Sequence, residues 1–356
     1  MKLKLLLTAL FFSVISFAQI PNGYYAAATG TGYILKTNLY NIIKGHFDRG
    51  YDGLYTTYQT SDRDYYYEND GTLLDMYSEN PTGADPYNYS SADIKRCGNY
   101  SVEGDCYNRE HIIPQSVFGS KTPMVSDAHT VTPTDGKVNG LRDNFPHGSV
   151  VSASKTTLNG SKLGSSGISG YSGKVFEPID EFKGDIARMY LYFATRYENT
   201  VAGYSYEMFN NTNAQVFTTD FLNMLVTWHE QDPVNAREIT RNNAIYARQN
   251  NRNPYIDHPE WVRAVWGAAL NIETFANLLA NVAVYPNPSK SNKINIETES
   301  VLEKIQLITI NGQMVQKIEH PQANIKVYTL ENIKQGVYFL RLDSCDKSIT
   351  KRIIIN

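Results

Sequence analysis

The chain has only three cysteines in 356 residues, and neither a CxxC pair nor an HxxxH spacing occurs in it. That absence excludes the ordinary zinc modules and a fold stapled by many disulfides. A formal charge of −3 excludes a broad basic surface of the kind that grips nucleic acid by charge alone. Long apolar runs are missing too. Beyond the first eighteen residues nothing approaches the ~20 apolar residues of a spanning helix.

What is present begins with Lys2 and Lys4 ahead of "LLLTALFFSVISFA", with Ser16 and Ala18 at the small-residue positions before a cleavage site. This pattern predicts a signal peptide over residues 1–18, a mature N-terminus at Gln19 and an exported protein. In an oxidising compartment Cys97 and Cys106, bracketing the polar stretch "GNYSVEGD", are expected to form a local disulfide, while Cys345 has no evident partner. Residues 282–356 hold 10 Lys and Arg against 7 Asp and Glu, which with Lys2 and Lys4 removed leaves residues 19–281 at −8. A polyanion acted on by this body must be met by a local site or a bound cation.

Composition changes near residue 277. Earlier stretches carry helical periodicity: "TNLYNIIKGHF" with Leu39, Ile42, Ile43 and Phe47; "FKGDIARMYLYFATRYE" with Ile186, Met189, Tyr190 and Phe193 on one face; "TDFLNMLVTWHEQD"; and "PVNAREITRNNAIYARQ", expected to start at Pro233. "GTLLDMYSE" fits strand or helix, and "DRDYYYEND" reads as a loop or edge strand. Later come short β-patterned runs such as "EKIQLITI", "QMVQKIE" and "GVYFLRL", with Asn311-Gly312 as a hairpin signal. The expectation is an α+β body over residues 19–276 and a linker and small all-β sandwich over 277–356.

The chemistry concentrates in "NREHIIPQS". Neighbouring strand residues face opposite sides, so Glu110 and His111 share a pocket only if the strand ends or bulges there, and Pro114 shows that regular pairing soon stops. Some twenty residues on, "SDAHTVTPTDGKVNGLRDNFPHG" reads as a second strand turning into a helix: Thr132 as N-cap, Pro133 at the first helical position, Asp135 in the first turn, Asn139 in the second, then Arg142 and Asp143. Strand, strand and helix would enclose one hard cation. Glu110 and Asn139 supply two oxygens and leave positions for water and phosphate, as Mg²⁺ prefers, with Ca²⁺ or Mn²⁺ as alternatives. Neutral His111 can take a proton from an attacking water. His129 and Asp127, alternating on the second strand, are expected to support the site. His229, Glu230 and Asp232 read as a structural helix end, and "NNRNPYIDHPEW" as a polar loop beneath the site, with Asp257 or His258 as supporting groups.

"CYNREHIIPQS" and "DAHTVTPTDGKVNGLRDNFPHG", with "TLLDMYSE", "GDIARMYLYFATRYE" and "RNNAIYARQNNRNPYIDHPEWVRAVW" in order, resemble the secreted endonuclease I family of ββα-metal (His-Me finger) nucleases from about residue 35 to 270. The resemblance implies metal-dependent, sequence-tolerant cleavage of DNA, often RNA too, leaving 5′-phosphates. It implies Glu110 and Asn139 as metal ligands, His111 as general base, and an arginine on the cleaved phosphate, for which Arg142 is the first candidate and Arg252 the second. The segment with "VYPNPS", "ITINGQMV", "GVYFLRL" and "TKRIIIN" resembles the C-terminal sorting domain of type IX secretion cargo. It implies passage through the outer membrane by that machinery, to a free or surface-attached state. The protein is expected to act as a monomer. Two other readings compete: a metal-free ribonuclease with paired histidines, and a non-catalytic adhesin using its tyrosine-rich loops and sandwich.

Overall fold

The computed structural model describes residues 20–91, 95–267, 282–298, 302–322, 326–344 and 347–356. The expected leader, the boundary near 277 and Cys345 lie outside them. The chain forms two compact units, Met1–Asn271 and Ile272–Asn356.

The first unit begins with helices α1 (Gly32–Ile43) and α2 (Gly53–Ser61). Helix α1 buries Leu35, Leu39 and Ile43 at four-residue spacing, and Phe47, expected on that helix, lies beyond its end and exposed. Strands β1 (Thr72–Leu73) and β2 (Tyr89–Ser90) pair antiparallel, so "GTLLDMYSE" is a brief strand followed by a turn. Strands β3 (Tyr107–His111) and β4 (Val131–Asp135) form a second antiparallel pair that runs straight into α3 (Gly136–Arg142). A meander of β5 (Val150–Thr156), β6 (Lys162–Ser166) and β7 (Lys174–Glu177) follows.

Helices α4 (Lys183–Arg196), α5 (Thr219–Gln231), α6 (Ala236–Gln249), α7 (Pro254–Asp257) and α8 (Trp261–Trp266) complete the unit. The periodicity of α4 predicted one apolar face, yet thirteen of its fourteen residues are buried, because α1, α5 and α7 pack around it. Its Arg188 is neutralised by Glu238 of α6 through two 2.7 Å bonds. Helix α6 starts at Ala236 and not at Pro233, since Asn235 and Glu238 close a reciprocal capping box there.

Among the described residues the second unit holds only strands and turns. Strands β8 (Ala283–Tyr285), β9 (Ile294–Glu297), β10 (Lys304–Thr309), β11 (Met314–Glu319), β12 (Val327–Leu330), β13 (Gly336–Ser344) and β14 (Lys347–Ile355) make two sheets, ordered β11-β10-β13-β14 and β12-β9-β8. Alternate residues such as Ile294 and Ile296, Ile305 and Leu307, and Leu340 and Leu342 point into one shared core. Gly312, at φ +84°, turns the β10–β11 hairpin as the Asn-Gly pair predicted.

Candidate active site

The β3–β4 pair places the decisive residues. Glu110 and His111 are the last two residues of β3, paired with Thr132 and Val131, and both line one polar cavity of about 250 Å³, together with Asn139 and Arg142 of α3. The turn into α3 departs from the sequence expectation. Thr132 and Pro133 are strand residues, Pro133 standing opposite Arg109, and Asp135 is the N-cap, accepting from Val138 N at 2.8 Å. Gly136 opens the helix because a Cβ there would lie 2.7 Å from Tyr100 Cδ1 and 2.9 Å from Cys97 Sγ. Cys97 and Cys106 are joined as expected, with Cα atoms 5.6 Å apart.

Glu110 is 1% exposed. Its Oε1 accepts from the Tyr77 hydroxyl at 3.0 Å and lies 3.3 Å from Arg142 Nη1, which leaves Oε2 for the cavity. Burial pushes its carboxyl up, against the opposite pull of Arg142 and Tyr77. Asn139 commits Nδ2 to Asn108 Oδ1 at 2.6 Å and to Arg109 O at 3.2 Å, so its Oδ1 is the end free to meet a cation. A carboxylate oxygen, an amide oxygen and open room for water suit Mg²⁺. The residues fit the metal.

His111 Nε2 lies 3.1 Å from Val125 O. A carbonyl only accepts, so Nε2 carries the proton and Nδ1 keeps its lone pair. Burial lowers the imidazole to about 4, ahead of smaller effects from its neighbours. It is therefore neutral at pH 7, as a base must be.

Arg142 lines the cavity but is 1% exposed, with Nη1 on His111 O at 2.8 Å and Nη2 on Ile112 O at 2.6 Å. The second candidate, Arg252, does not line it: Asp257 holds its Nε at 2.5 Å and its Nη2 at 2.7 Å. Asp127 and His129 precede β4 and do not alternate on it. Asp127 gathers Tyr192, Tyr197 and Gln249, and His129 bonds Asn251 O at 3.1 Å, so the pair anchors the turn that carries Val125 without touching Glu110 or His111. Residues 254–257 of the expected polar loop form helix α7, and neither Asp257 nor His258 lines the cavity. His229, Glu230 and Asp232 are spent on the helix end: Arg188 meets His229 Nδ1 and Asp232 O, Arg263 meets Glu230, and Gly184 N donates to the Asp232 carboxylate.

Three groups were not singled out by sequence. Arg109 lines the cavity with its guanidinium 3.4 Å from the Tyr51 ring centre. Tyr77 and His147 form a buried chain with Tyr190, at 2.6 Å (Tyr77 hydroxyl to His147 Nε2) and 2.8 Å (His147 Nδ1 to Tyr190 hydroxyl). Burial holds His147 well below the ordinary imidazole range, so it is neutral. The Tyr190 hydroxyl also lies 2.9 Å from Ile112 O, so its one proton goes either there or to His147; in the second case His147 donates to Tyr77 and Tyr77 to Glu110. The signal was faint, a tyrosine inside "TLLDMYSE" and the histidine of "FPHG", because nothing local tells a buried hydroxyl from a core ring.

Residues 31–260 match the family described as Endonuclease I. The chain belongs to the endonuclease I family. Relatives are an extracellular ribonuclease of Bacillus amyloliquefaciens, 34% identical over 71% of this chain and 81% of the relative, and one of Bacillus subtilis (strain 168), 34% identical over 68% and 78%. An Endonuclease-1 of Buchnera aphidicola is 29% identical over 37% of this chain and 46% of the relative. Residues 283–356 match the secretion system C-terminal sorting domain. This endonuclease I member is a nuclease, a hydrolase of phosphodiester bonds, and a secreted or cell-surface protein. Among the described residues no helix is long and apolar enough to cross a membrane.

Proposed function

We propose that the protein is a Mg²⁺-dependent, sequence-nonspecific endonuclease that cuts DNA and RNA to leave 5′-phosphates, using a ββα-metal finger formed by β3, β4 and α3. The observation that carries this reading is the convergence of Glu110, His111 and Asn139 on one cavity. Glu110 Oε2 and Asn139 Oδ1 would hold the ion. When bound, the ion supplies positive charge to the phosphate oxygens and the leaving alkoxide. His111 Nδ1 takes the proton of the attacking water, and the Nε2–H bond to Val125 O orients the ring.

Arg142 keeps Glu110 and the strand end in place. Arg109 spends Nη1 on Asp52 and on Tyr51 O, both at 3.0 Å, but with a side chain 16% exposed at the cavity it is the cation better placed to offer its remaining donors to a phosphate. Contacts of this kind touch backbone and not base edges, which accounts for sequence tolerance. The C-terminal unit has no part in the chemistry and would engage the type IX machinery. The test is incubation of the purified chain with plasmid and with RNA, with and without chelator, followed by end-group analysis. Chelator-sensitive cleavage of both with 5′-phosphate ends is expected. Chelator-insensitive cleavage of RNA alone, with cyclic-phosphate ends, would overturn it in favour of paired-histidine ribonuclease chemistry.

A further inference from the structure

The loop between α2 and β1 is wound around one buried carboxylate. Asp64 Oδ1 accepts from the Tyr66 and Tyr67 amides, and Oδ2 from that of Asn69, all at 3.0 Å. The winding brings Glu68 back towards Asp64. Glu79 arrives from the turn after β1, whose amides at Ser78 and Glu79 bond Asp75 O at 3.0 and 2.9 Å. One carboxylate oxygen each from Asp64, Glu68 and Glu79 lies within 4.8 Å of the other two. Glu79 is 1% exposed, and both its oxygens are buried without a hydrogen-bond partner. A buried carboxylate that has lost water and found no donor requires another partner.

We propose that Asp64, Glu68 and Glu79 form a second cation site of calcium type, apart from the Glu110–Asn139 cavity. The donors are all oxygen, as a hard cation demands. Ca²⁺ takes six to eight oxygens in a flexible shell, so three carboxylate oxygens within 4.8 Å of one another can share one ion. Mg²⁺ demands a strict octahedron and is usually held by only one or two carboxylates, so a three-carboxylate set suits it less. The site ties the 62–71 loop to the segment carrying Asp75 and Tyr77. Asp75 accepts from Thr134 and from Asp135 N, and Tyr77 donates to Glu110. A cation there braces the wall behind the catalytic carboxylate without touching substrate.

The experiment titrates Ca²⁺ into the full chain carrying Glu110→Gln, which disables the first site and is first shown by circular dichroism to be folded despite the unpaired Arg142, and into the otherwise native chain, and reads binding by calorimetry and Tm. We expect one Ca²⁺ with Kd of about 10⁻⁴–10⁻³ M, the range of extracellular modules, and a rise in Tm. Adding Glu68→Gln, an exposed change that leaves the fold alone, should weaken binding at least ~10-fold, because it removes a charged ligand. In the otherwise native chain Glu68→Gln should keep its hydrolysis rate at saturating Mg²⁺. No Ca²⁺ binding, or equal affinity with and without Glu68→Gln, would overturn the site. Binding of Mg²⁺ as tight as that of Ca²⁺ would overturn its calcium character. Failure of the nuclease reading would instead appear as absent turnover with this binding intact.

Discussion

Arg142 Nη1 lies 3.3 Å from Glu110 Oε1, and each side chain is 1% exposed. The pair is out of water, so neither charge can be removed without stranding the other. It also explains why an arginine expected on the substrate phosphate spends its donors inside the protein. Arg142 spans the β3 end, holding His111 O, Ile112 O and Glu110 together. Removing Arg142 by Arg142→Ala should therefore cost ~3–5 kcal/mol of stability. Chemical denaturation monitored by circular dichroism checks this. A loss below about 1 kcal/mol, as for an exposed pair, would show the pair to be dispensable.

His111→Ala should lower kcat by ~10²–10⁴-fold with the fold retained. The pH profile sharpens the test. A lowered imidazole is neutral above its own value, so at saturating metal the rate should hold as pH falls past 6 and be lost near about 4. A limb near 6.5 would show that burial does not lower the imidazole in the working enzyme, and a pH profile unchanged by His111→Ala would exclude His111 as its source.

Asn139→Ala should raise the Mg²⁺ concentration needed for half-maximal rate, and excess Mg²⁺ should partly restore the rate. Glu110→Gln should be worse, because it removes charge as well as a ligand. Calorimetry showing unchanged Mg²⁺ affinity in both variants would sink the two-ligand assignment.

Tyr77→Phe deletes the hydroxyl that joins Glu110 to His147. Stability should fall by ~1–3 kcal/mol, since buried partners lose their mate. Mg²⁺ affinity should weaken as Glu110 loses a fixed orientation. A Tyr77→Phe protein with native Mg²⁺ affinity would make the chain of hydroxyls purely structural.

Residues 19–281 carry −8, so substrate is to be held by few contacts. Each cation that neutralises a duplex phosphate adds ~0.9 to the salt slope of log affinity, so a slope of roughly 2–3 is expected. Binding of a short duplex to His111→Ala at constant Mg²⁺ across a potassium chloride series measures it. A slope above about 6 would reveal a basic groove.

The sequence by itself determined the family, the β-rich C-terminal unit and the local disulfide, and it singled out as candidates Glu110, His111 and Asn139, which the fold brings to one cavity. Those signals are local: alternation, an Asn-Gly turn, two cysteines nine residues apart, and a Glu-His pair whose strand had to end. It misplaced the start of α3, because Thr132 and Pro133 satisfy N-cap preferences that pairing with β3 overrides. Burial of α4 on all sides was equally hidden, since periodicity reports one face and not what packs against the others. Only the tertiary structure decided what the arginines do. A guanidinium can meet phosphate, carboxylate or carbonyl with the same fork, and distance and burial choose among them. They turned Arg142 inward to Glu110, sent Arg252 to Asp257, and held Arg109 at the cavity wall against Asp52. The same holds for Tyr77 and His147, which lie seventy residues apart in the chain and meet only because the fold brings both behind Glu110.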